Sequence, residues 1–131
     1  MDRLFLDANV LFSAAYQPNA GLLQFWTLKD VILCSSRYAL EEARINLAEE
    51  AQRARLTKLA RKIQFFDAII GREAGGVSLP EKDWPILFAA KEAQATHLIS
   101  GDFRHFGTYF GKRIEGILIL APAQYLKIRR R

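Results

Sequence analysis

Residues 4–11 read LFLDANVL, and this stretch decides the fold class of the chain. Its first three residues form a short apolar run of the kind that makes a buried strand, and Asp7 and Asn9 follow directly. An acid that ends a buried strand needs a partner or a role, because an uncompensated buried carboxylate is costly. We therefore predict a strand over residues 4–6 with a polar site at its carboxyl end.

Similar apolar runs recur along the chain and alternate with helical patterns. Further strands are predicted at residues 31–34, 97–100 and 117–120. Helical or turn structure is predicted at 10–15, 22–28, from about Arg37 after the caps Ser35 and Ser36, over the apolar stripe 56–70, and from Asp83. Such alternation is typical of βαβ units. The sequence thus predicts one α/β domain over residues 1–131, with a mostly parallel central sheet flanked by helices and a basic tail at 123–131.

The composition is that of an ordinary globular protein. The chain has 131 residues, of which 50% are hydrophobic and 25% charged, enough to bury one core. Its single cysteine, Cys34, cannot form an internal disulfide, which favours a reducing compartment, and it fits a small buried position in a strand. No apolar run approaches the roughly 18 residues that cross a bilayer. We expect a soluble cytoplasmic protein with no membrane segment and no cleaved leader.

The net charge of +5 fits attraction to a polyanion such as nucleic acid. Lys58, Arg61 and Lys62 belong to a basic helical stripe that either guides such a ligand or is a solvated helix face. Arg104 and His105 follow Asp102 closely and could meet a substrate phosphate. His105 could also serve as a general acid, although most lone surface histidines have no such role.

Four acids from separate segments are expected at one edge of the sheet. Asp7 and Asp102 follow predicted strands, while Glu42 and Asp83 lie in the first turns of predicted helices. In open parallel sheets these positions share the edge at which ligands bind. A hard divalent cation such as Mg²⁺ or Mn²⁺ relieves the repulsion among carboxylates, because it prefers oxygen ligands. The pattern therefore predicts a metal site suited to phosphodiester hydrolysis.

Each polar residue of this pattern also has a simpler explanation. Asp83 fits a helix N-cap, Asp102 a turn residue after glycine, and Glu42 a solvated helix face. Asn9 either orients the neighbouring carboxylate or forms a turn at the strand end. Ser36 either caps its helix alone or also touches the site. The joint placement of the acids, more than any single residue, indicates a site.

These motifs resemble those of the PIN-domain family of metal-dependent ribonucleases, which includes the toxins of many bacterial and archaeal toxin–antitoxin pairs. Residues 6–11 resemble the first-strand motif, with Asp followed two positions later by Asn, and residues 36–42 resemble the Ser…Glu helix start. Residues 83–90 and 97–102 resemble the third and fourth acidic motifs. Two positions depart from the family pattern: Ala8 replaces a frequent Thr or Ser, and residues 103–106 lack an acid that would favour a second metal.

The resemblance spans essentially the whole chain and implies a PIN-like nuclease domain that cleaves RNA endonucleolytically with Mg²⁺ or Mn²⁺. It implies a catalytic metal site made of Asp7, Glu42, Asp83 and Asp102, and Asn9 and Ser36 are the candidate residues beside that site. Arg104, His105, Lys58, Arg61 and Lys62 are the candidate RNA contacts. An antitoxin partner and a homodimer are implied by the family alone. The alternative is an RNA-binding or regulatory PIN-like domain without efficient cleavage. An aspartyl-phosphate phosphatase is disfavoured, because it requires Asp where Asn9 stands.

Overall fold

A six-stranded sheet organises the part of the chain that the structure describes, residues 1–67 and 84–129 of a computed structural model. Its strands are β1 (Asp2–Leu6), β2 (Val31–Ser35), β3 (Gln64–Phe65), β4 (His97–Ile99), β5 (Arg113–Ile114) and β6 (Ile117–Leu120). They lie in the order β3-β2-β1-β4-β6-β5. Every pairing is parallel except that of β5 with β6. The predicted mostly parallel α/β sheet is therefore confirmed.

The strand order changes direction at β1, which pairs with β2 on one side and β4 on the other. Ligand crevices of open α/β sheets lie beyond the carboxyl ends of the strands at such a switch point. Two hydrogen bonds join the strand ends there. The Asp7 amide donates to the Ile99 carbonyl over 3.0 Å, and the Ser35 hydroxyl donates to the Leu6 carbonyl over 2.8 Å.

Helices cover the sheet and bury its apolar residues. They are α1 (Ala8–Ala15), α2 (Arg37–Asn46), α3 (Glu50–Ala60), α4 (Trp84–Glu92), α5 (Phe103–Phe106) and α6 (Pro122–Arg129), with 3₁₀ segments at Gly21–Thr27 and Gly107–Tyr109. Leu4, Phe5 and Leu6 of β1 are fully buried. Since α1 packs on both α2 and α3, the segment that follows β1 is held between two other helices.

The predicted helical stripe over residues 56–70 is wrong in its second half. α3 ends at Ala60, and the chain then forms β3, so that Ile63 precedes a strand and Phe66 follows it. The Phe66 amide donates to the Ser35 carbonyl over 2.9 Å, which continues the parallel pairing with β2. Pairing along a sheet edge has overridden the helical spacing of the apolar residues. The part of the stripe beyond residue 67 lies outside the described residues.

The predicted basic tail is also different in the structure. Residues 122–129 form α6, in which Tyr125 and Leu126 are buried. The Tyr125 hydroxyl donates to an Asp2 carboxylate oxygen over 2.7 Å and so fastens α6 to the start of β1. The apolar face at 22–28 is a 3₁₀ helix, and β5 was not predicted. The predicted start of α1, the helix near Arg37 and the strands at 31–34, 97–100 and 117–120 are confirmed.

Two further expectations concern the core and membranes. Cys34 is a buried free cysteine in β2, as predicted, and burial raises the pKa of its thiol while the charge of Arg3 partly opposes that shift. Within residues 1–67 and 84–129, no helix combines the length and apolarity needed to span a bilayer.

Candidate functional site

A cavity of about 520 Å³ opens at the carboxyl ends of β1 and β4, next to α2. Its lining residues are Asp7, Ala8, Asn9, Phe12, Glu42, Ala43, Asn46, Gly101 and Asp102. Three of the four predicted acids thus meet at one cavity, and among its described lining residues there is no Lys or Arg. The fourth, Asp83, lies outside the described residues, although α4 begins at the next position.

Asp7 is the innermost of these acids, with only 4% of its surface exposed. Its Oδ1 accepts a hydrogen bond from the Ala8 amide over 2.7 Å. Its Oδ2 accepts from the Ser100 hydroxyl over 2.7 Å and from the Asn9 side-chain amide over 3.2 Å. Asp7 is also the N-cap of α1, where the positive end of the helix dipole favours an anion. These donors fix the orientation of a carboxylate that faces the cavity.

Asn9 and Ser100 tie the end of β4 to the end of β1. The Asn9 side-chain oxygen accepts from the Gly101 amide over 2.7 Å, while the Ser100 Oγ accepts from the Asp102 amide over 3.0 Å. Ser100 is fully buried and was not singled out in the sequence. The Gly101 backbone and the Asn9 side chain lie close together, because a Cβ built at Gly101 would be 3.2 Å from the Asn9 side-chain oxygen.

Asp102 is held by its own downstream segment. As the N-cap of α5, its Oδ1 accepts from the His105 amide over 3.1 Å. Its Oδ2 lies 2.7 Å from Nδ1 of His105, and the imidazole N–H is the donor because a carboxylate only accepts. His105 therefore points one ring nitrogen at Asp102, whereas the sequence suggested a phosphate contact. Arg104, between them, is exposed.

Glu42 contributes to the cavity from α2, and its neighbour Glu41 does not. Glu41 instead forms an exposed ion pair with Arg44, whose hydrogen bond lowers the pKa of the Glu41 carboxyl. One turn after Glu42, Asn46 also lines the cavity and donates to the Glu42 carbonyl over 2.8 Å. Asn46 was not among the predicted site residues, although a polar residue four positions after a proposed ligand lies on the same helix face.

The donor chemistry of the cavity fits a hydrated divalent cation. Carboxylate and amide oxygens are the ligands that Mg²⁺ and Mn²⁺ prefer, and Mg²⁺ usually retains several waters. Within the described ranges, no three His, Cys, Asp or Glu side chains stand close enough together to form a ready metal cluster. Asp7, Glu42 and Asp102 line the cavity, and an ion held by them would complete its coordination with water molecules.

The remaining predicted site residues lie outside this cavity. Ser36 is buried, and its hydroxyl accepts from the Ala39 amide over 3.1 Å, which caps α2. Lys58, Arg61 and Lys62 are exposed, and none of them lines the cavity. Lys62 instead borders a second cavity near Val31, at the amino end of β2. RNA contact by these cations stays a prediction.

Comparisons with known proteins agree on one fold. A sequence model described as the PIN domain matches residues 3–104. The structure is similar to the crystal structure of VapBC2 from Rickettsia felis, which was bound to a DNA fragment from the VapBC2 promoter. The TM-score is 0.66 and the sequence identity is 15%, and the match covers 91% of this chain and 98% of that chain. It is also similar to FitAcB from Neisseria gonorrhoeae, with a TM-score of 0.51 and 16% identity over 92% of this chain and 98% of that chain. No curated protein sequence matched.

Proposed function

The chain belongs to the PIN-domain family, and from that premise we propose that it is a metal-dependent endoribonuclease that hydrolyses RNA phosphodiester bonds. PIN domains are generally nucleases. One observation carries the proposal for this chain: carboxylates from three separate segments line a single cavity at the switch point of the sheet. Such a cavity repels phosphate unless a cation is bound in it, so we expect cleavage to depend on a divalent ion.

We assign the metal to Asp7, Glu42 and Asp102, and to Asp83, which lies outside the described residues. Bound there, Mg²⁺ or Mn²⁺ supplies Lewis acidity for the hydrolysis. The protein's own contribution is preorganisation. Ser100 and Asn9 hold the Asp7 carboxylate and His105 holds that of Asp102, so less ordering is needed when the ion and the substrate bind.

The decisive experiment is cleavage of structured and unstructured RNA by the purified protein with Mg²⁺ or Mn²⁺, beside the variants Asp7→Asn and Asp102→Asn. We expect EDTA to abolish cleavage and each variant to lose roughly 100-fold or more in rate, because each removes a charge that holds the ion. EDTA-insensitive cleavage, or full activity in both variants, would contradict the proposal.

Two adjacent glutamates of α2 provide a matched control for that experiment. Glu42→Gln removes an acid that lines the cavity, whereas Glu41→Gln removes only an exposed ion pair with Arg44. We expect Glu42→Gln to lower activity and Glu41→Gln to leave it unchanged, since exposed ion pairs contribute little. Equal effects of the two substitutions would remove Glu42 from the ligand set.

A second candidate is an RNA-binding or regulatory PIN-like domain that does not cleave efficiently. It is favoured by one observation, the lack of a ready three-ligand cluster among the described residues. Titration of the protein with Mg²⁺ and Mn²⁺, followed by calorimetry or NMR, separates the candidates. A site with no metal affinity would favour the binding module.

We further propose that the protein acts in the cytoplasm as the toxin of a toxin–antitoxin pair and works as a homodimer. The support is the family, which includes such toxins, and the fold that the chain shares with VapBC2. We expect expression to arrest bacterial growth, Asp7→Asn to be harmless, and co-expression of a cognate small DNA-binding protein to restore growth. Unimpaired growth with an active nuclease would exclude the toxin role but not the nuclease.

A further inference from the structure

A further hollow, distinct from the cavity near Val31, adjoins the acidic cavity, and Phe12 lines both the hollow and the acidic cavity. This hollow, which we call the Phe12–Tyr16 hollow, has a volume of about 340 Å³ and is lined by Phe12, Ser13, Tyr16 and Gln17. The two aromatic rings lie 5.4 Å apart between centroids, and Tyr16 remains 53% exposed. A large ring left open to solvent beside a polar cavity is a surface that the metal chemistry does not use.

The helical register of α1 explains why the hollow continues from the cavity. Asn9, Phe12 and Tyr16 are spaced by three and four residues, which places their side chains on one helix face. Tyr16 lies roughly 10 Å further along the helix axis than Asn9. That distance corresponds to about three base steps of roughly 3.4 Å in a stacked strand. A strand held at the acids would therefore reach Tyr16 within a few nucleotides.

A cation is fixed at the Tyr16 end of α1. The Arg55 guanidinium donates through Nε to the Ala15 carbonyl over 2.9 Å and through Nη2 to the Tyr16 carbonyl over 3.0 Å. The buried Gln52 side chain donates to the same Tyr16 carbonyl over 3.1 Å. These bonds anchor the backbone at the end of α1 and hold a positive charge at the Ala15 and Tyr16 carbonyls, whereas the other end of α1 begins at an acid.

We propose that the Phe12–Tyr16 hollow is a nucleotide subsite, in which an unpaired base that flanks the scissile phosphate stacks on Tyr16 and its phosphate meets Arg55. The inference rests on the proposed function for its substrate class. Aromatic rings combined with a nearby guanidinium are the means by which proteins hold single strands without reading their sequence. The polar rim of Ser13 and Gln17 and the continuity through Phe12 favour RNA over an apolar protein segment.

The subsite has a consequence for substrate choice. A base presents a face to Tyr16 only when it is unstacked from its neighbours, which is easier in loops and single strands than in a duplex. We therefore expect cleavage of unpaired RNA near the subsite and little cleavage of continuous duplex.

The test measures binding of a fluorescent single-stranded RNA oligonucleotide to the full chain in Ca²⁺, a hard cation that also takes oxygen ligands, and gel electrophoresis checks that the oligonucleotide stays intact. We expect Tyr16→Ala to weaken binding roughly 5- to 150-fold, the range for loss of one stacked base, and Tyr16→Trp to retain it. Ile45→Ala is the control, because Ile45 is an exposed apolar residue that lines neither cavity. Unchanged binding by Tyr16→Ala would overturn the proposal.

An abasic scan makes the same test specific to one nucleotide. In a series of oligonucleotides that each lack one base, the wild type should bind one member weakly, namely the one that lacks the base stacked on Tyr16. Tyr16→Ala should bind that oligonucleotide as well as it binds the intact one. Equal losses at every position would also overturn the subsite, as would a Tyr16→Ala variant whose dimerisation changes while its RNA binding does not. Position-specific stacking without any cleavage in Mg²⁺ or Mn²⁺ would support the subsite and reject the nuclease, so the two failures are distinguishable.

Discussion

Ser100 joins the two innermost parts of the acidic site through one hydroxyl group. It donates to Asp7 and accepts from the amide of Asp102, so it fixes both acids relative to each other. The sequence did not indicate this role. A serine at the end of an apolar run is an ordinary strand terminus, and its partners at positions 7 and 102 meet only after the strands have paired.

Replacement of this hydroxyl tests its role. We expect Ser100→Ala to lower Mn²⁺ affinity and kcat/KM by roughly 10- to 100-fold, because a hydrogen bond to a charged group contributes about 1.5–3 kcal/mol. Calorimetric titration and cleavage kinetics measure the two effects. Ser36→Ala is the matched control: it removes the cap of α2, which costs about 0.5–2 kcal/mol of stability, and should leave metal affinity unchanged. Wild-type affinity in Ser100→Ala would contradict the assignment.

His97 at the start of β4 predicts a pH dependence of stability. Burial lowers the pKa of its imidazole from 6.5, with Asp2 opposing the shift and Arg113 adding to it. The unfolded chain therefore binds a proton more readily than the folded chain. The contribution of neutral His97 to the free energy of unfolding is fully present above pH 6.5. It is lost as the pH falls below 6.5 toward the folded-state pKa. Urea unfolding at pH 7.5 and 5.0 measures the loss of unfolding free energy on acidification, and this loss should be smaller in His97→Gln than in wild type. An equal loss in both proteins would show that His97 is not the cause.

The placement of the acids was the most predictable feature of the candidate site. Their positions at strand ends and helix starts follow from hydrophobic patterning, and Asp7, Glu42 and Asp102 do line one cavity. The orientation of His105 was not predictable, because the partner of an imidazole depends on the capping geometry of a single short turn.

At the scale of elements, the long central strands were predictable and the short outer ones were not. β3 and β5 each contain two residues, too few for an alternating pattern to be recognised. β5 pairs with β6 through a two-residue turn at Glu115 and Gly116, where φ is 52° and 81°. Positive φ at both positions is typical of a type I′ hairpin turn. Only the glycine gave a sequence signal for it.

The β5–β6 turn provides a stability prediction at this scale. We expect Gly116→Ala to lower the free energy of unfolding by about 1–2 kcal/mol, because a side chain at positive φ is strained even where space is open. Gly107→Ala is the control, since its φ is −53° and nothing lies within 4 Å of the added Cβ. Denaturant unfolding of both variants measures the difference. A loss in Gly107→Ala as large as that in Gly116→Ala would show that backbone strain is not the cause.

At the scale of the whole molecule, metal binding and folding should be linked. A ligand that binds only the folded state stabilises it by about 2.7 kcal/mol at one hundred times its Kd. We therefore expect Mn²⁺ to raise the Tm of the wild-type protein by several degrees and to leave the Tm of Asp7→Asn nearly unchanged. Differential scanning fluorimetry at constant ionic strength measures both. The same rise in the variant would place the stabilising ion elsewhere.

The two outermost positions of the sheet belong to β3 and β5, and their shortness has a consequence for behaviour at high concentration. A long flat border strand presents a row of unpaired amides and carbonyls onto which a neighbouring molecule can add its own strand. In the described part of this chain, each border presents only a two-residue row. Within residues 1–67 and 84–129, the sheet therefore offers a neighbouring molecule little border for strand addition, and its longer apolar strands lie between the short ones.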